Sequence, residues 1–376
     1  LLQGDRAFII FSVIPLKSHL LEVHYMKLNA LVSAAVGAAI MVLGVKQSTH
    51  AIVAVDFDNL FRQEVLPGQF SGVVALQNEA FGSFCTGSLL TGGQYILTAA
   101  HCLTKGNTLN PELINQPFFA NFNLASGLIQ VPIRNLFILP TWQGSILQGN
   151  DLALLSLLEP APAEAEQYDI YREMNELGQT FTKVGYGRVG TGVTGDFSPN
   201  GLTAFFGQNQ FEGTESDLVN LVNFPLGDVA PLSQLLFDFD SGRTANNLLG
   251  SLGLGNNEVS GGKGDSGGPT FIGNRIAGIT SYRVGGYGLI APTDMDGVMN
   301  SSFGELAGDA RVSTYSSFID EVLSGNVIPS GENTAAVPEP TTIMGSVAFG
   351  LWVLKRRRVR SPDRATRFVK KSTVKH

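Results

Sequence analysis

Forty-four glycines are spread along the chain, and runs of Ala, Leu, Glu and Lys that would carry long helices are scarce. Glycine weakens the interior of helices and strands and serves turns. Short strands joined by Gly-rich turns are what such a chain builds, so the expected class is all-β. At 376 residues it is long enough for one large domain or two smaller ones, each with a core.

Charge is unevenly placed. Residues 52–336 hold 11 Lys and Arg against 28 Asp and Glu, a net of −17, whereas the last 40 residues hold 10 Lys and Arg against two acids. An acidic body argues against nucleic-acid binding, which needs a basic surface.

Both ends read as processing signals. Residues 1–25 show no period and no cap pattern, and read as an over-extended start; a genuine N-terminal extension is the alternative. From Met26, a positive Lys27, an apolar run from Leu28 to Val45 and the small-residue end Thr49-His50-Ala51 read as a signal peptide over 26–51. A membrane anchor is the alternative, but the run is short for a span. At the other end, Val337-Pro338-Glu339-Pro340-Thr341-Thr342 precedes an apolar run, Ile343 to Leu354, and then Lys355-Arg356-Arg357-Arg358. This order resembles the bacterial PEP-CTERM sorting signal over 337–360, with 326–336 a linker and 361–376 a basic tail. The resemblance implies transient membrane anchoring through this span and its removal by an exosortase-type processing enzyme; a plain C-terminal anchor is the alternative. A basic cluster after an apolar run stays cytoplasmic, so the body is expected outside, secreted or at the surface of a bacterium. Export makes a disulfide possible between the two cysteines, Cys85 and Cys102.

Three local patterns carry chemistry. Of five histidines, only His101 lies in the body, in Leu97-Thr98-Ala99-Ala100-His101-Cys102 after the apolar strand Gln94 to Leu97. Asn150-Asp151-Leu152-Ala153-Leu154-Leu155 is an acid followed by a strand entering a core. Gly264-Asp265-Ser266-Gly267-Gly268-Pro269 sets a hydroxyl among glycines. Hydrolysis by serine needs a base for the hydroxyl, an acid to orient the base, and donors for the oxyanion.

These motifs, in the order His, Asp, Ser, resemble the chymotrypsin/trypsin-like serine protease family over about residues 52–325. The resemblance implies two six-stranded antiparallel β-barrels, 52–168 and 169–325, with a short C-terminal helix at Ser316 to Leu323. It implies a secreted serine-type endopeptidase that acts on protein or peptide substrates through an acyl-enzyme, without cofactor. The triad would be His101, Asp151 and Ser266, with the N–H groups of Gly264 and Ser266 as oxyanion hole. Cys85 and Cys102 pair in that family. Gly185-Tyr186-Gly187 resembles the turn that opens the second barrel.

Ser260 stands where the family has the floor of the specificity pocket, implying an uncharged pocket for bulky apolar side chains. Ser281 and Tyr282 resemble the pair lining the substrate channel. Arg283, where many members have Gly, would narrow the pocket or meet an acidic substrate. Signal cleavage after Ala51 would expose Ile52-Val53, whose amine could pair with Asp265, as in members that mature by N-terminal insertion; some bacterial members need no insertion. Asp238-Phe239-Asp240-Ser241-Gly242 has the alternating acids of a calcium loop but lacks its later Glu, so an exposed turn and no metal site are expected. A non-catalytic binding or extracellular-matrix protein on a protease scaffold is the competing class.

Overall fold

A computed structural model describes residues 52–198, 202–286 and 292–332. The over-extended start, signal peptide, sorting signal and basic tail expected at the ends lie outside the described residues.

The first half is built from β1 (Ile52–Ala54), helix α1 (Phe57–Arg62), β2 (Val73–Asn78), β3 (Gly82–Leu89), β4 (Tyr95–Thr98), β5 (Phe118–Leu124), β6 (Gly127–Ile138) and β7 (Ala153–Leu157). The antiparallel order β6-β5-β2-β3-β4-β7 closes on itself, because β6 also pairs β7. The result is a six-stranded barrel around Val74, Leu76, Ile96, Phe122 and Leu155, all fully buried. Alternate residues of each strand point inward, and in this chain those positions are apolar.

The second half holds β8 (Thr180–Gly185), β9 (Val189–Thr191), β10 (Phe205–Gln210), β11 (Gly213–Thr214), helix α2 (Glu215–Leu221), β12 (Gln234–Asp238), β13 (Val259–Ser260), β14 (Pro269–Ile272), β15 (Arg275–Val284), β16 (Leu306–Arg311) and helix α3 (Ser316–Leu323). Its main sheet runs β10-β8-β14-β15-β16-β12-β11 and curls into a half-barrel. The edge strand β10 and β12, next to the other edge, are bridged by a side chain: the Asn209 amide donates to the carbonyls of Asp238 (2.9 Å) and Val259 (3.0 Å). Phe181, Phe211 and Phe237 pack as a cluster inside, with ring centroids 4.3 to 6.3 Å apart. The expected helix is present, with Ile319 and Val322 buried and Phe318 packed against the core.

The seam between the halves positions the site. The Thr86 N–H donates to the Ser266 carbonyl (2.8 Å), and the Thr86 hydroxyl donates to the Gly264 carbonyl (3.0 Å). The packing requires glycine at 267: its φ is +80°, and a Cβ would fall 2.1 Å from Thr98 Oγ1 and 2.4 Å from the Thr86 carbonyl. On the other flank, β1 lies fully buried between β9 (parallel) and β13 (antiparallel).

Cys85 on β3 and Cys102 are joined by a disulfide across a separation of 17 residues. It ties the turn that carries His101 to the barrel wall. Loop closure of this length restricts the unfolded chain, contributing about 3 kcal/mol. Replacing both cysteines with serine is expected to lower unfolding stability by about that amount, read as an earlier midpoint in urea with a slope no smaller than the parent's, since the freed unfolded chain exposes more surface.

Candidate active site

Strand β4 ends at Thr98 and turns through a 3₁₀ segment, Ala100–Cys102, whose flanking side chains are buried. His101 is left at the lip, its side chain 26% exposed. Asp151 sits two residues before β7, after Asn150. Asn150 adopts a left-handed φ of 61° and is held by Tyr315, whose hydroxyl accepts from the Asn150 N–H (3.0 Å). Asn tolerates this conformation better than most residues.

The Asp151 carboxylate is 1% exposed and saturated with donors. Oδ1 accepts from the His101 backbone N–H (2.8 Å). Oδ2 accepts from the His101 Nδ1–H (2.6 Å) and from the Ser281 hydroxyl (2.5 Å). Three donors offset the cost of burying the acid. Burial of the imidazole works to lower its pKa; the charge and hydrogen bond of Asp151 outweigh that, so His101 sits above its ordinary value. With Nδ1 donating to Asp151, Nε2 is the nitrogen free to accept a proton.

The serine turn is set by another buried acid. Asp265 Oδ1 accepts from the Gly187 N–H and Oδ2 from the Gly262 N–H, both at 2.7 Å. Burial pushes Asp265 up to about 6, against the pull of those two bonds and of the Lys183 charge. Its fit explains Gly185-Tyr186-Gly187: a Cβ at 185 would lie 2.0 Å from Asp265 Oδ1, and one at 187 would lie 2.5 Å from the Asp265 nitrogen. Gly264 takes a φ of +106°. The Gly264 and Ser266 N–H groups donate to no acceptor among the described residues.

His101 and Ser266 line one cavity of about 240 Å³, together with Ser281, Tyr282 and Arg283. Ser260 is not in its wall, where Gly261 and Gly262 stand instead. Ser260 is buried and paired with Val53 of β1, because β13 is held against that strand. Arg283 is in the wall, but its guanidinium is bound to Asp196 Oδ2 and Ser301 Oγ, both at 2.7 Å. Its charge is already paired.

Sequence reasoning missed the buried pair in the cavity lining, Lys183 and Asp309. Lys183 Nζ lies 3.1 Å from Asp309 Oδ1 and 3.2 Å from Thr270 Oγ1, with both charged side chains 1% exposed. Period-two alternation was the available signal: Lys183 shares a strand face with the buried Phe181, which places a cation inside. Also corrected is the exposed turn expected at 238–242: Asp238 and Asp240 are both buried, because their loop folds back over them.

A closed β-barrel beside a half-barrel, with a histidine–aspartate pair and a serine turn on one cavity, defines the chymotrypsin-like class. The sequence model of the trypsin family matches residues 61–293, and the chain belongs to that family. A similar solved structure is neuropsin, a serine protease expressed in the limbic system of mouse brain. It is 16% identical, the match covers 69% of this chain and 98% of neuropsin, and the TM-score is 0.50. At that identity the likeness concerns the fold.

Removing one member of a buried ion pair strands the other charge. Lys183→Met is expected to cost about 3–5 kcal/mol by chemical denaturation, and Lys183→Met with Asp309→Leu to cost less than the single change.

Proposed function

We propose that this protein is a secreted serine endopeptidase that cleaves protein or peptide substrates through an acyl-enzyme. The observation that carries the reading is the 2.6 Å contact of His101 Nδ1 with Asp151, on an imidazole that lines the same cavity as Ser266. In this reading Ser266 Oγ attacks the scissile carbonyl carbon and His101 Nε2 takes the hydroxyl proton. The oxyanion is met by the N–H groups of Gly264 and Ser266. The C–N bond then breaks, and His101 returns the proton to the leaving amine. Water repeats the sequence on the acyl-enzyme. Asp151 orients the ring and stabilises the imidazolium, and Ser281 holds Asp151 in turn.

A fluorophosphonate probe is expected to label the wild type and not Ser266→Ala, and peptide hydrolysis is expected to fall by about 10⁶-fold in that variant. Absence of labelling in the wild type would favour a binding or matrix protein on this scaffold. The base works only when neutral. Because Asp151 raises the His101 pKa, the acid limb of kcat/KM is expected above pH 6.5. The linked stability has the opposite sense: the charged pair stabilises fully below the unfolded imidazole pKa, and its contribution fades as pH rises through the raised value.

Maturation follows from the same frame. Ile52 pairs Val189, and Val53 pairs Ser260. Gly187 and Gly262, two residues away on those partner segments, donate to Asp265. Ile52 carries a φ of 79°, a strained value for a β-branched residue that cleavage before it would relieve. This supports a cut between residues 51 and 52, with the new amine pairing Asp265. Exosortase-type removal of the span at 337–360 would complete release from the membrane of a bacterial cell. Mass spectrometry of the exported protein is expected to find Ile52 as first residue and no peptides beyond the Pro338-Glu339-Pro340 motif. A polar first residue would end the insertion idea.

A further inference from the structure

Away from the cleft, the loop between β12 and β13 closes over four acids. Glu212 precedes β11, Asp238 ends β12, Asp240 follows it, and Glu258 leads into β13. Asp238 and Glu258 are fully buried and Asp240 is 2% exposed. One carboxylate oxygen from each of Glu212, Asp238 and Asp240 lies within 4.8 Å of the others. One set of oxygens is bound by the loop backbone: Leu249 N–H donates to Asp238 (3.2 Å), Ser251 N–H to Glu212 (2.5 Å) and Leu254 N–H to Glu258 (2.6 Å). The loop packs so closely that a Cβ at Gly253 would lie 2.6 Å from Asp240 Cβ and 3.0 Å from Glu258 Oε2.

The remaining oxygens have no partner. Among the described residues, both oxygens of Asp240, Oδ1 of Asp238, Oε2 of Glu212 and Oε1 of Glu258 are buried without a hydrogen bond. None of the ion pairs among those residues involves any of the four acids. Elsewhere among those residues only Glu215 and Glu305 leave a single oxygen so, each with its other oxygen bound by backbone N–H; five such oxygens together, two of them on Asp240, point to a missing positive charge.

We propose that Glu212, Asp238, Asp240 and Glu258 form a calcium site. Only hard oxygen donors converge there, with no histidine or thiolate, which disfavours zinc. Calcium accepts six to eight oxygens in flexible geometry and completes its shell with carbonyls and water; magnesium demands a tighter octahedron and sheds water reluctantly. Glu258 is followed directly by Val259 and Ser260, so the ion would brace the segment that runs through Gly261 and Gly262 into the serine turn. Sequence alone hid the site, because the loop pattern expected of Asp238 and Asp240 is completed by acids 26 residues upstream and 18 downstream.

The test is thermal melting of the full chain carrying Ser266→Ala, so that self-cleavage does not contribute. In CaCl₂ at about 100 times its Kd, melting is expected about 5 °C above that in EDTA. Calorimetry is expected to give one calcium per chain, with magnesium at least tenfold weaker. Asp240→Asn is expected to abolish the calcium shift while melting in EDTA no lower than its parent, since it removes repulsion. Glu212→Gln, at a half-buried position, gives the same comparison if Asp240→Asn does not fold. Identical melting in EDTA and calcium, a shift matched by magnesium, or a calcium shift that survives these substitutions would overturn the site.

Discussion

The Asp151 carboxylate is where the two halves of the molecule are made to agree. It takes two donors from the His101 segment of the closed barrel and one from Ser281 of the half-barrel. A buried acid with three donors has one favourable orientation, and each donor is thereby fixed in turn. The tautomer of His101, the position of Ser281 and the packing of β7 all follow from that carboxylate. The seam contacts of Thr86 with Gly264 and Ser266 then set the serine turn against the same barrel wall.

The same device recurs through an acidic body. Asp265 is held by two backbone N–H groups, Asp309 by Lys183, and Glu176 by Arg311 and Ser313. Each of these three acids has neighbours that compensate its desolvation, and each is tied to at least one strand or loop far away in the chain. Glycines make these approaches possible where a side chain would collide, as at Gly185, Gly187 and Gly267. The cluster around Asp240 is compensated only in part, and its position next to β13 connects it with the segment that carries Ser266.

Much of this was legible in the sequence because it is local. Period-two strands, the helix at Ser316–Leu323 and the runs around His101, Asp151 and Ser266 are contiguous patterns, and family resemblance reads such patterns well. The pairing of Cys85 with Cys102 came from the same resemblance. What escaped notice is set by partners distant in sequence. Ser260 was read by its offset from Ser266, and the pairing of its strand β13 with β1, more than 200 residues away, was not foreseen. Arg283 meets Asp196, 87 residues away, and Lys183 meets Asp309, 126 residues away. The acids at 238 and 240 looked like a surface turn because nothing beside them in sequence announces the loop that covers them.

The central claim is that Asp151 fixes a single imidazole with its proton on Nδ1. Residues 52–336 contain one histidine, so NMR of that segment labelled with ¹⁵N-histidine reads His101 without ambiguity. An Nδ1–H tautomer is expected at neutral pH, with a far-downfield Nδ1 proton and a titration above the ordinary imidazole value that drops in Asp151→Asn. An Nε2–H tautomer, or a titration indifferent to Asp151, would contradict it.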